Sequence, residues 1–144
     1  MKKILVAIDG SDHAWRALDY AGKLAKALGE ELLVYSVLKP NESAALLAKY
    51  DMEDPLPPHE AEGLDEIGNK LLDEARERAT SGVKTTFELG VGYPPEMIVA
   101  KAKKARVESI VMGTRGMSGI KEMLLGSVSN YVLQYATVPV VIIK

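Results

Sequence analysis

Short apolar runs alternate with amphipathic stretches along almost the whole chain. Residues 2–8 are mostly aliphatic and β-branched and stop at Asp9-Gly10-Ser11, which predicts a buried strand, a turn and a helix start capped by Ser11 or Asp12. Within residues 13–28, Ala14, Ala17, Leu18, Ala21, Ala25 and Leu28 recur at spacings of three and four, one face of a helix, and Gly29 supplies its stop. Residues 31–38 give a second strand. Leu64, Ile67, Leu71 and Ala75 mark a second helix ending at Gly82, followed by a third strand over 83–89 and a turn over 90–94. Pro95 suits the first position of a third helix, whose buried stripe is Ile98, Ala102 and Ala105. A fourth strand over 109–112, a last helix over 127–135 and a closing strand over 139–143 complete the series. Only residues 39–62, with Pro40, Pro55, Pro57 and Pro58, break the alternation, as a long excursion in which 44–50 has room for a helical turn or two.

Strands alternating with helices of this length imply right-handed βαβ crossovers, hence a parallel sheet covered on both faces. The expected fold class is α/β: a single-domain three-layer α/β/α sandwich spanning residues 1–144, with five parallel strands in the order 3-2-1-4-5. In that order strands one and four are neighbours whose connections leave in opposite directions, and a ligand crevice opens between their C-terminal ends. The turns at Asp9-Gly10-Ser11 and from Gly113 to Ser127 both face it.

Composition narrows the chemistry. With 47% hydrophobic and 26% charged residues the 144-residue chain is ordinary for a globular domain, and a formal charge of −2 argues against a nucleic-acid partner. Absence of cysteine removes disulfides, thiolate nucleophiles and Cys-ligated metals, and His13 and His59 do not read as a metal pair but as surface residues. The N-terminal apolar run is too short for a signal core or a membrane span, so the expected location is the cytoplasm, with no membrane partner. Trp15, early in helix one, reads as a packing residue.

The chemistry concentrates after strand four. Gly113-Thr114-Arg115-Gly116 is followed nine residues later by Gly126-Ser127 at a helix start. Glycine lets backbone approach a ligand closely, a helix N-terminus presents unpaired N–H groups with partial positive charge, and Ser127 adds a hydroxyl. Such an arrangement is a phosphate cradle. Asp9 reads either as a ligand to the bound molecule or as a plain capping carboxylate. Arg115 and Lys121 could neutralise phosphates, although basic residues in exposed loops are as a rule solvated. A receiver domain would need an Asp ending strand three, where Leu89 stands, and a helix after the last strand; a flavodoxin-like protein would need a Ser/Thr- and Gly-rich loop after strand one. No G-x-x-x-x-G-K-[ST] occurs, which excludes a P-loop ATPase. No marked base or arginine finger for rapid phosphoryl transfer is evident either, so no catalytic residue is assigned.

Taken together, the segments from Val6 to Ser11 and Gly92 to Ile98, the Gly113-x2-Gly116-x9-Gly126-Ser127 spacing and the closing Pro139-Val140-Val141-Ile142-Ile143 resemble the universal stress protein family, in its ATP-binding branch. The resemblance covers the whole chain. It implies that Gly113, Gly116, Gly126, Ser127, Val128 and Ser129 surround ribose and phosphates, mostly through backbone N–H groups, with Arg115 in the same loop. It places Asp9 beside the base or ribose, Val37 at the adenine edge, and Ala7 and Met112 in the same pocket, Ala7 standing where some members carry proline. The implied cofactor is ATP, with Mg2+ or Mn2+ held mainly by the phosphates, in a stress-response regulator whose nucleotide stabilises or switches a homodimer. A slow ATPase acting as a timed switch and a structural dimer that binds no nucleotide are the alternatives. The strand over 138–144, charged only at Lys144, is an edge that a second copy could cover across a two-fold axis. Val141 is expected to turn its N–H toward that partner, and Val140 and Ile142 toward the intramolecular sheet, the inverse parity being the alternative.

Overall fold

The computed structural model describes residues 1–39, 60–114 and 125–144. Five parallel strands, β1 (Lys3–Ala7), β2 (Glu31–Leu38), β3 (Thr85–Val91), β4 (Ser109–Gly113) and β5 (Val140–Ile143), form one sheet in the order β3-β2-β1-β4-β5. Helices α1 (Asp12–Leu28) and α2 (Glu60–Arg78) pack on one face, α3 (Pro94–Ala105) and α4 (Ser127–Tyr135) on the other. The expected α/β architecture and strand order therefore hold.

β1 is aliphatic on both faces because both are covered. Ile4 and Val6 enter the core under α1 and α2, Leu5 and Ala7 the core under α3 and α4. Ile4, Leu5 and Val6 are wholly buried, and each such side chain contributes roughly 1.5–3 kcal/mol of transfer free energy. α1 starts where Ser11 accepts the Ala14 N–H on its hydroxyl at 3.2 Å, and ends where Gly29, at φ 68°, donates its N–H to Ala25. Its buried face is small, and the Thr80 side chain occupies the notch at Gly22. Trp15 is buried as expected, with the Arg78 guanidinium 4.6 Å from its ring centroid.

Several boundaries differ from expectation, those of β1, α1, β4 and β5 by a single residue. β3 runs over Thr85–Val91, not 83–89, because its ladder with β2 continues to the Leu38–Val91 pair and draws Gly90 and Val91 into the sheet. The turn begins only at Gly92, whose φ of 151° and N–H bond to the Leu38 carbonyl end the strand. α2 stops at Arg78 rather than reaching Gly82, and α3 begins at Pro94, one residue earlier than expected. Both prolines lie in that first turn, where no N–H is needed. The excursion over 40–59 lies outside the described residues. No helix among the described residues is long and apolar enough to cross a membrane.

Candidate functional site

The C-terminal ends of β2, β1 and β4 lie side by side, and two helix starts, those of α1 and α4, follow from β1 and β4 at this end of the sheet. These starts are built differently. That of α1 is closed by its own sequence: Ser11 caps it, and the Asp9 carboxylate accepts the Ser11 N–H at 2.9 Å in a turn that Gly10 permits with φ 86°. Asp9 therefore commits an oxygen to the turn and keeps its carboxylate beside the crevice.

The start of α4 has no such closure. Gly126 is its N-cap and offers no side chain to the N–H groups of the first turn, Ser127, Val128 and Ser129. Gly126 has φ −72° and ψ 169°, an extended conformation open to any residue, so backbone geometry does not call for glycine there. Ser127 is exposed, whereas Ser129 is buried with its hydroxyl donating to the carbonyls of Thr114 and Gly126 at 2.9 and 3.1 Å. Ser129 thus has only its backbone N–H to offer a ligand.

Ala7, Val37 and Met112 belong to a single apolar cluster on the α3/α4 face, with Val128 packed against it. They come from the ends of three adjacent strands and are at most 9% exposed, which makes an apolar floor for a flat group. Gly113 turns the other way. A Cβ on it would lie 2.7 Å from the His13 Cβ and 3.0 Å from the His13 backbone carbon, so its smallness lets α1 approach β4. Arg115, Gly116 and Lys121, like His59, fall outside the described residues.

Two residues that the pattern of the chain did not single out join these parts. His13, expected at the surface, is half-buried, and its Nδ1 lies 2.8 Å from the Thr114 hydroxyl. Thr114 itself is 4% exposed. The available signal was topological: strand order 3-2-1-4-5 brings the first turn of α1 to the end of β4. Among the described residues no group of three or more His, Cys, Asp or Glu could hold a metal ion.

Such an arrangement can receive an anion at an uncapped helix start while an apolar group lies on the adjoining strand ends. Comparison with known proteins points the same way. A model of the universal stress protein family matches residues 1–144. The universal stress protein YxiE of Bacillus subtilis (strain 168) is 40% identical over 150 residues, covering 99% of this chain and 98% of that protein. Universal stress protein UspA from Lactobacillus plantarum has the same fold with a TM-score of 0.80 and 26% identity, over 99% of this chain and 97% of that one. The universal stress protein from Archaeoglobus fulgidus, solved in complex with dAMP, matches with a TM-score of 0.66 and 25% identity, over 100% of this chain and 98% of that one.

Proposed function

Since this chain belongs to the universal stress protein family, we propose that it is a stress-response protein that binds an adenine nucleotide, ATP by preference, in the crevice between β1 and β4. The observation that carries this reading is the start of α4, where the N-cap Gly126 supplies no side-chain cap and has no conformational need to be glycine. The base lies against Ala7, Val37 and Met112 with Asp9 at its side, and the phosphates meet the N–H groups of Ser127, Val128 and Ser129. The dAMP complex of the Archaeoglobus fulgidus relative supports an adenine nucleotide as the ligand class.

A divalent cation, Mg2+ or Mn2+, enters with the phosphates, which mainly hold it. Hydrolysis is slow if it occurs, because the sequence carries no marked base or arginine finger for rapid phosphoryl transfer. ATP then acts by stabilising one state of a homodimer joined through β5, an apolar edge whose backbone groups on one side need a partner or water. Mass spectrometry of freshly purified protein tests the reading: an adenine nucleotide near one equivalent supports it. Protein free of nucleotide that also fails to bind added Mg2+-ATP by calorimetry overturns it.

A further inference from the structure

Every polar group of Thr114 is committed to a different element. Its N–H donates to the Ile143 carbonyl at the end of β5 at 2.9 Å. Its carbonyl accepts the Gly126 N–H at 2.6 Å and the Ser129 hydroxyl at 2.9 Å, both at the start of α4. Its hydroxyl meets His13 Nδ1 in the first turn of α1. We assign Oγ1–H as the donor and Nδ1 as the acceptor, the tautomer that satisfies the proton of this buried hydroxyl. That assignment leaves the His13 proton on Nε2.

We propose that His13 is a positioning residue for the phosphate side of the nucleotide crevice, holding Thr114 so that its carbonyl places the start of α4. The proposal rests on the adenine-nucleotide reading above. Mechanically, Gly113 has no side chain and α1 lies against it, so the imidazole reaches Thr114 from a backbone already in close contact. Without the acceptor, the Thr114 hydroxyl is orphaned in a buried site and must rotate toward another. The same residue's carbonyl holds the N-cap and the third residue of α4, so a shift of the Thr114 backbone as its hydroxyl seeks another acceptor would displace the N–H groups that face the phosphates. His13 touches no ligand in this account; it acts through Thr114.

The test compares His13→Leu, which keeps bulk without an acceptor, His13→Asn, which keeps an acceptor near the Nδ1 position, and Thr114→Val, which removes the hydroxyl with little change in shape. ATP affinity is measured by calorimetry, adenosine affinity by NMR titration, and folding by thermal melts. His13→Leu and Thr114→Val are expected to lose roughly tenfold in ATP affinity, with the double variant no weaker than the weaker single one. His13→Asn is expected to stay close to wild type for ATP, and adenosine to be bound alike by all the variants. ATP affinity unchanged in folded His13→Leu, no rescue by His13→Asn, or equal losses for ATP and adenosine would each overturn the positioning role. Wild-type protein that binds neither ligand would instead sink the nucleotide reading, and this proposal with it.

Discussion

The backbone N–H of Thr114 donates to the carbonyl of Ile143 at 2.9 Å, and the N–H of Ile110 donates to that of Pro139 at the same distance. Strand geometry alternates, so positions 139, 141 and 143 face β4, while Val140 and Ile142 turn their backbone groups to the open edge. The parity is the inverse of the one expected: Val141 points inward to β4, because the bonds at Pro139 and Ile143 fix the odd positions on that side.

Ile142→Pro removes an outward N–H, and Val141→Pro an inward one that alternation directs at the Ile110 carbonyl. The first is expected to shift the proposed dimer toward monomer in sedimentation at micromolar concentration. The second leaves a buried carbonyl without its donor, at about 1–3 kcal/mol, and lowers the melting temperature more than Ile142→Pro does. If Ile142→Pro sediments as an undisturbed dimer, β5 is not the contact.

Gly113 and Gly126 stand in one motif for different reasons, and substitution separates them. Gly113→Ala forces a methyl against the His13 backbone and is expected to destabilise the fold by roughly 1–3 kcal/mol, as overpacked sites do. Gly126→Val meets no backbone strain and costs only a weaker cap, on the order of 1 kcal/mol. Its effect is expected in ATP affinity, with a fall of roughly a hundredfold, or about 2.7 kcal/mol. Calorimetry and chemical denaturation on both variants check the contrast; wild-type affinity in folded Gly126→Val contradicts it.

This contrast also marks how far the sequence could be read. Period and punctuation were enough for the alternation of strands and helices and for the start of α4 at Ser127, because both depend on local chemistry. Gly113 was attributed to ligand contact, since a glycine needed by a neighbouring helix looks the same in sequence as one needed by a phosphate. The His13 bond to Thr114 spans 101 positions and carries no periodic signature. β3 slid by two residues because pairing with β2, a property of two segments together, outweighed the local turn signal of Gly90.

Arg106 closes α3 in the left-handed region, at φ 54° and ψ 47°, with its N–H on the carbonyls of Ala102 and Lys103. An L side chain is strained there, whereas glycine is not. Arg106→Gly is expected to raise unfolding free energy by roughly 0.5–1 kcal/mol, net of the added chain entropy of glycine. Urea denaturation reads the difference, and a loss of stability would show that the arginine side chain contributes more than its backbone costs.

Tyr35 gives the fold an alkaline limit. Burial pushes its phenol above the ordinary value near 10, with the Lys101 ammonium pulling it down and the Glu88 carboxylate adding to the rise. The folded protein therefore holds this proton more tightly than the unfolded chain. Its contribution is complete below pH 10 and is lost as pH climbs through the folded-state value. Melting temperatures measured above pH 10 are expected to fall less steeply for Tyr35→Phe than for wild type; parallel curves would refute the assignment.

Trp15 is the chain's one tryptophan, and it sits two positions beyond His13 on α1, buried, with the Arg78 guanidinium against its ring. Its indole emission is therefore a built-in optical gauge of how α1 seats against α2. Unfolding should shift that emission to the red. A ligand that draws the first turn of α1 toward β4 would instead alter its intensity while the band stays blue, giving binding a label-free signal separable from denaturation.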